Sequence, residues 1–200
     1  MSVLDRFRLD GRTAIVTGTG PGVGSHVARA YAELGANVVC ASRSEDNVQR
    51  LAADICAAGG SAIGVATDVT VKADLENLVA KAREAYGPVH ILFNNAAAGV
   101  VPVEAGPWGN EDSDWELAMN ANVMAPYRLT RMLMPDMESH GKGSIINVES
   151  CGGFTPILPS IAYGTSKAAL MFLTRALAKA CAPHARVNAL CVGSMSPDGV

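Results

Sequence analysis

The chain has 200 residues, of which 49% are hydrophobic and 18% charged, and its formal net charge is -3. This composition is typical of a compact globular protein with a proper core and excludes an intrinsically disordered chain. Because the chain is weakly acidic and has no block of Lys and Arg, we expect no nucleic-acid partner.

Short apolar and β-branched runs alternate with longer helical patterns along the chain. They predict strands at residues 13–17, 37–41, 61–66, 89–93, 144–148 and 186–191. They predict helices at residues 22–34, 47–58, 72–86, 114–139 and 163–181. Because the strands are nearly all apolar, we expect a sheet that is covered on both faces. Repeated β-α-β units predict an α/β, Rossmann-type doubly wound parallel sheet in a three-layer α/β/α sandwich, as a single domain.

A glycine-rich turn with the spacing TGxxxGxG follows the first predicted strand. In a doubly wound sheet phosphates dock at this turn, because the backbone approaches the ligand closely and the next helix presents free N–H groups. Four glycines are therefore predicted to hold a dinucleotide pyrophosphate: Gly18, Gly20, Gly22 and Gly24. The alternative is a glycine-rich turn that binds nothing.

The end of the second strand faces the adenosine ribose of a dinucleotide in this architecture. Ser42 stands where an acidic residue would bind a 2′-hydroxyl group, and Arg43 follows it. Because a guanidinium suits a 2′-phosphate, the sequence favours NADP(H) as the cofactor, with NAD(H) as the alternative. Arg43 is otherwise interpreted as a solvated side chain at a strand end.

Tyr163 and Lys167 lie one helical turn apart, and Ser150 lies one short loop upstream. Residues at i and i+4 share one helical face, and a nearby ammonium favours the phenolate form of a tyrosine. The Tyr163 hydroxyl is then suited to give a proton to a carbonyl or take one from an alcohol. Ser150 is predicted to hydrogen-bond the substrate oxygen. Tyr127 and Arg131 have the same spacing, and we assign that pair to packing or to the surface.

Together these motifs resemble the short-chain dehydrogenase/reductase family. The resemblance rests on the glycine turn, on Asn94-Asn95-Ala96 after the fourth strand and on Ser150…Tyr163-x-x-x-Lys167, and it extends over about residues 7–193. It implies an NAD(P)-dependent oxidoreductase that transfers hydride between NADP(H) and a carbonyl compound or secondary alcohol. The alternatives are the same reaction with NAD(H), and a nucleotide-binding protein on this fold that catalyses nothing.

The resemblance also implies further cofactor contacts. Asp68 and Val69 would hold the adenine ring, although a short acidic side chain is equally suited to capping the next helix. Asn95 and Ala96 would line the cofactor site. Ala97 stands where the family usually has Gly, and its methyl group would crowd the nicotinamide ribose or reshape the loop.

The resemblance places the family's active-site Asn at Asn122 and gives Lys167 a hydrogen bond to the nicotinamide ribose. Pro126 lacks an N–H, so we expect the Asn122 carbonyl to remain free for a water of the proton relay. Glu149, directly before Ser150, is unusual for the family, and its side chain should point away from that of the serine. Its role stays open between pairing with a cation and lining the pocket.

Members of the family usually continue through a substrate loop, another helix and a seventh strand, whereas this sequence stops at Val200. We expect residues 1–200 to form one NAD(P)-binding domain, either as a fragment or without that lid. The helices near 114–139 and 163–181 are expected to form a homodimer or homotetramer. Candidate contacts are Met132, Met134, Met171 and Phe172, with a role in the internal core as the alternative.

The remaining patterns concern metals, membranes and thiols. The four histidines have no ligand-like spacing, so we predict no catalytic metal. Residues 1–8 lack an apolar segment of signal-peptide length, and no apolar run reaches the roughly 20 residues that span a bilayer. The five cysteines lie in or beside apolar stretches, which predicts buried, reduced thiols. We therefore expect a cytoplasmic protein without a membrane partner.

Overall fold

A six-stranded parallel sheet organises the chain, in the order β3-β2-β1-β4-β5-β6. The computed structural model describes residues 3–193. The strands are β1 (Thr13–Thr17), β2 (Asn37–Ser42), β3 (Ser61–Ala66), β4 (Ile91–Asn94), β5 (Gly143–Ser150) and β6 (Ala185–Val192). The helices are α1 (Val23–Glu33), α2 (Glu45–Ala57), α3 (Lys72–Tyr86), α4 (Asp112–Met119), α5 (Ala125–His140) and α6 (Ile161–Ala180).

The sheet is covered on both faces, as the apolar strands predict. Alternate residues of β1 enter different cores: Ile15 packs with residues of α3, α5 and α6, whereas Ala14 and Val16 pack with residues of α1 and α2. Because side chains alternate between the two faces of a strand, an all-apolar strand serves both cores. The predicted three-layer, Rossmann-type fold is confirmed.

The order of the strands reverses at β1. The chain first builds outward through β2 and β3 and then returns to place β4 on the other side of β1. In an open parallel sheet this reversal leaves a crevice at the carboxyl ends of the two central strands. Gly18 and Asn95, which directly follow β1 and β4, lie at that crevice.

The helix predicted over residues 114–139 is irregular. It is divided into α4 and α5 by a π-helical turn at Asn120–Met124, where the Ala125 N–H bonds to the Asn120 carbonyl five residues earlier. Pro126 lacks an N–H and prevents the regular α-helical ladder from continuing here, and a π turn accommodates the change.

The prediction of buried thiols is wrong for three of the five cysteines. Cys40 and Cys181 are buried, but the others are exposed: Cys56, Cys151 and Cys191. The last two lie at strand ends or on the sheet-edge strand β6, where a neighbouring apolar run does not imply burial. All five thiols are free.

Two of the methionines proposed as subunit contacts belong to the core. Met132 and Met134 are partly buried and pack against the cluster formed by α3, α5 and α6, which favours the alternative given for them. Phe172, on α6, is 69% exposed. Within residues 3–193 no helix combines the length and the apolar character that crossing a bilayer requires.

Candidate active site

Two glycines of the predicted phosphate turn are needed for packing within the protein. Gly18 has φ +68°, and a Cβ atom there would approach Ala96 to 2.7 Å. A Cβ atom on Gly24 would approach the side-chain nitrogen of Asn95 to 2.7 Å. A larger residue at either position would push the turn away from the end of β4.

The other two glycines leave space for a ligand. Apart from the adjoining residues of the chain, no protein atom lies within 4 Å of a Cβ atom built on Gly20 or Gly22, and Gly22 has φ +121°. Gly22 is also the N-cap of α1, whose first turn contains no acidic residue. The open turn therefore meets the positive end of a helix, which fits the pyrophosphate of a dinucleotide.

A cleft of about 480 Å³ runs along the carboxyl edge of the sheet from this turn. Ser42 and Arg43 lie on one side of it. It brings together most of the residues predicted to bind the cofactor: Gly18, Gly20, Ser42, Arg43, Asp68, Val69, Asn95 and Ala96. Gly22 and Gly24 lie outside its lining, in the turn and in the first turn of α1.

Asp68 organises the loop between β3 and α3. Its carboxylate accepts hydrogen bonds from the Thr70 N–H, at 2.9 Å, and from the Thr70 hydroxyl, at 2.7 Å. The Thr70 hydroxyl, with the guanidinium of Arg43 as a smaller cause, lowers the pKa of Asp68. Because the N-cap of α3 is Val71, Asp68 shapes the turn and is not the cap.

Asn95 fixes the glycine turn from the end of β4. Its side-chain nitrogen donates to the carbonyls of Thr17 and Gly18, at 3.2 and 2.8 Å, and its backbone N–H donates to the Thr17 hydroxyl at 3.1 Å. The loop after it differs from the family pattern as the sequence indicates. Ala97 is exposed in the cleft, whereas Gly99 has φ +93° and a Cβ there would lie 2.6 Å from that of Ala118.

Ser150 ends β5, and Tyr163 and Lys167 lie in the first two turns of α6. The Lys167 ammonium donates to the Val148 carbonyl at 2.7 Å, and this bond joins α6 to β5 two residues before Ser150. The Lys167 ammonium also lies 5.6 Å from the centroid of the Tyr163 ring. The Ser150 oxygen accepts from the Gly152 N–H at 3.1 Å, so its own proton remains available for a substrate oxygen.

Lys167 is a buried cation, only 2% exposed. Burial lowers its pKa to about 8, and attraction to Glu149 opposes part of that effect. When the pKa of a lysine lies near neutral pH, small changes of its surroundings alter its charge, and such shifted pKa values are common in catalytic sites.

Asn122 connects the loop after β4, which lines the cleft at Ala98, to α6. It is 1% exposed. Its side chain accepts from the Ala98 N–H at 2.9 Å and donates to the Ala98 carbonyl and to the Ser166 hydroxyl, both at 2.8 Å. Ser166 in turn donates to the Tyr163 carbonyl at 2.7 Å. The Asn122 side chain thus holds the loop after β4 against α6, a role that the sequence did not reveal.

A buried polar chain beneath the site was also missed. Asn94 donates to Asn147 at 2.8 Å, and Asn147 donates to the Thr174 hydroxyl at 2.9 Å. Glu149 approaches the same hydroxyl at 3.4 Å. The available signal was the presence of Asn147 and Glu149 within the otherwise apolar strand β5.

Relatives of known sequence support a common function class. A sequence profile described as short chain dehydrogenase matches residues 12–200. The human dehydrogenase/reductase SDR family member 2, mitochondrial, is 38% identical over 191 residues, which is 95% of this chain and 67% of the relative. The ketoacyl reductase HetN of Nostoc sp. is 33% identical over 194 residues, 96% of this chain and 66% of HetN. The chain thus spans about two thirds of these relatives.

Solved structures with about the same sequence identity to this chain share its fold. A 7α-hydroxysteroid dehydrogenase complexed with NADH and 7-oxo glycochenodeoxycholic acid superposes with a TM-score of 0.86 at 31% identity, over 96% of this chain and 73% of that one. A metagenomic short-chain oxidoreductase in complex with NADP has a TM-score of 0.84 at 31% identity, over 95% of this chain and 87% of that one. These two structures contain different nicotinamide cofactors.

Proposed function

Because this chain belongs to the short-chain dehydrogenase/reductase family, we propose that it transfers hydride between NADP(H) and a carbonyl compound or secondary alcohol. The observation that carries the proposal is the position of Ser150, Tyr163 and Lys167 at the carboxyl end of β5, on the same edge of the sheet as the glycine-lined cleft, although they lie outside its lining. When bound, the nicotinamide ring supplies or accepts the hydride.

The residues of this chain have separate tasks in that reaction. Ser150 donates a hydrogen bond from its free O–H group to the substrate oxygen and stabilises the charge that develops there. Tyr163 gives a proton to that oxygen in reduction and takes it back in oxidation. Lys167 favours the phenolate form of Tyr163, and its ammonium has two donors besides the one bound to Val148. Asn122 holds the loop and the helix in place, and its carbonyl, beside Pro126, is proposed to hold a water of the proton relay.

The preference for NADP(H) rests on Ser42 and Arg43. A serine in place of a carboxylate leaves no repulsion for a 2′-phosphate, and Arg43 is an exposed cation beside the same cleft. Gly20 and Gly22 would hold the pyrophosphate, and Val69 and Asp68 would border the adenine. NAD(H) is the competing cofactor.

We further propose that the protein acts as a homo-oligomer in the cytoplasm. The exposed Phe172 on α6 offers an apolar contact for a second copy, and the five free thiols suit a reducing compartment.

The proposal is tested by a screen of ketones, 3-oxoacyl thioesters, steroids and quinones, with NADPH or NADH absorbance as the readout. Tyr163→Phe should lower kcat about 100-fold or more, because the proton donor is lost. NADPH binding, followed by fluorescence, should change little.

Tyr127→Phe is the matched control, since Tyr127 also lies beside a cation on a helix, with Arg131 5.9 Å from its ring centroid. It should keep the wild-type rate. A protein that binds NADPH but reduces no compound of any class would instead be a nucleotide-binding protein without turnover.

A further inference from the structure

Glu149 is a buried carboxyl group for which the hydride-transfer reaction gives no obvious reason. It is 2% exposed and lies at the second-last position of β5. It contacts Thr174 on α6, as Asn147 does two residues earlier, so both side chains project to the same face of the sheet. A carboxylate is costly to bury unless its charge and its oxygens are satisfied.

The hydrogen bonds around Glu149 leave the ionised form poorly satisfied. Its Oε2 atom has no hydrogen-bond partner in the described part of the chain. Its Oε1 atom lies 3.4 Å from the Thr174 hydroxyl, but that hydroxyl lies only 2.8 Å from the Leu170 carbonyl, the better acceptor. A hydroxyl has one proton to give, so the Glu149 contact is best satisfied when the carboxyl group is protonated and itself donates to Thr174.

Lys167 is the charged group that acts on Glu149 from the surrounding elements. Its ammonium binds the carbonyl of Val148, the residue directly before Glu149. Both side chains lie in the described part of the chain, and no direct ion pair joins them. Two other polar or titratable side chains adjoin Glu149: Thr174 on α6 and Cys191 at the paired position of β6. Asn94 on β4 binds Asn147, and Tyr163 on α6 lies beside Lys167.

The two buried groups titrate in overlapping ranges. Burial raises the pKa of Glu149 to about 7, against the attraction of Lys167 and the smaller effect of the nearby Thr174 hydroxyl. Burial lowers the pKa of Lys167 to about 8, against the attraction of Glu149. The charge of the lysine therefore depends on the protonation of a carboxyl group on the neighbouring strand.

We propose that Glu149 is a positioning residue of the proposed reaction, a buried carboxyl group whose ionised form keeps Lys167 protonated and so supports the phenolate form of Tyr163. This inference rests on the proposed function for its effect on turnover. The coupling between Glu149 and Lys167 is a property of the folded chain and is measurable without a substrate.

The first test is infrared spectroscopy of the protein at a series of pH values. The carbonyl stretch of a protonated carboxylic acid, identified by its absence in Glu149→Gln, should disappear as the pH rises through about 7. In Lys167→Met the disappearance should move to higher pH, because the cation that favours the carboxylate is gone. A Glu149 that is ionised throughout, or that titrates identically in both proteins, overturns the proposal.

The second test is the pH profile of kcat/KM for reduction. In Glu149→Gln the fall in rate at high pH should move up by about one pH unit, because Lys167 loses its proton more easily without the anion and Tyr163 then keeps the proton that reduction requires. Glu149→Asp should restore part of the shift. Glu138→Gln, which changes an exposed glutamate on α5, should leave the profile unaltered.

An unchanged profile in Glu149→Gln, with Glu149 shown to titrate, overturns the effect on catalysis. If no carbonyl compound is turned over by the wild type, the proposed function fails, and the infrared titration still decides whether Glu149 and Lys167 are coupled. If Glu149→Gln does not fold, Glu149→Asp identifies the band by its shift, and the comparison with Lys167→Met remains decisive.

Discussion

Arg43 is the residue on which the proposed preference for NADP(H) depends. It stands at the end of β2 beside Asp68, and its guanidinium contributes to lowering the pKa of that carboxyl group. Within the described residues no ion pair holds Arg43, so its charge remains available for a 2′-phosphate. A bond between two charged groups contributes about 1.5–3 kcal/mol.

Arg43→Ala should therefore raise KM for NADPH about 10- to 100-fold and change KM for NADH less than about twofold. Steady-state kinetics with both cofactors on one substrate measures this difference. Arg50→Ala, which removes an exposed arginine from the middle of α2, is the matched control and should affect neither value. Equal losses for both cofactors would place Arg43 at the adenine and not at the 2′-phosphate.

The arrangement of the residues proposed to catalyse the reaction has a local signal in the sequence. Tyr163 and Lys167 share a helical face by their spacing alone, and Ser150 closes the preceding strand. The partner of the Lys167 ammonium, the Val148 carbonyl, lies 19 residues away and was not predictable from the motif. The strand pattern predicted that the Glu149 side chain points away from that of Ser150. It did not predict the contact of this side chain with Thr174, because that residue lies on α6.

At the scale of elements, the glycine turn combines two functions that the sequence does not separate. Gly18 and Gly24 allow the turn to pack against the end of β4, whereas Gly20 leaves an open space. The distinction arises from Asn95, which bonds to Gly18 across 77 residues of sequence. A contact of that range is invisible to a local motif.

Gly18→Ala should destabilise the protein by about 1–3 kcal/mol, because φ is positive there and the new methyl group would meet Ala96. Gly20→Ala should change stability by less than about 1 kcal/mol and weaken NADPH binding about tenfold, since its methyl group enters the space for the pyrophosphate. Denaturant unfolding and cofactor fluorescence measure the two effects. Equal destabilisation by both variants would contradict the separation.

The periodic patterns predicted every strand of the sheet and the helices that cover its two faces, with ends displaced by a few residues. The irregular region was less predictable. The pattern over residues 114–139 is helical throughout, and the π turn between α4 and α5 reflects Pro126 together with the bonds of Asn122 to the loop after β4. Exposure of Cys191 depends on its place on the sheet-edge strand, which follows from topology and not from neighbouring residues.

At the scale of the whole molecule, buried polar groups join two neighbouring strands of the sheet to α6. Asn94 on β4 binds Asn147 on β5, and Asn147 reaches Thr174 on α6. Glu149 contacts the same Thr174, and the buried Lys167 binds the carbonyl of the residue before Glu149, so the charges of both groups bear on the stability of the fold. Stability as a function of pH should therefore show their contribution.

Glu149 binds a proton more tightly in the folded chain, with a pKa raised from 4.5 to about 7. Between these values the folded state holds more protons than the unfolded state, so this group makes stability fall as the pH rises. Lys167, with its pKa lowered from 10.5 to about 8, holds fewer protons when folded and makes stability rise between about pH 8 and 10.5. The two effects together predict a local minimum of stability between about pH 7 and 8.

Glu149→Gln should remove the first of these two effects. The free energy of unfolding of this variant, relative to the wild type, should rise by on the order of 2–3 kcal/mol between about pH 4.5 and 7, because glutamine stays neutral where the buried carboxyl ionises. Urea unfolding at a series of pH values measures the difference. The free energy of unfolding of the control variant Glu138→Gln, plotted against pH, should run parallel to that of the wild type. Parallel curves for Glu149→Gln as well would mean that Glu149 is already ionised, and well accommodated, in the folded protein at low pH.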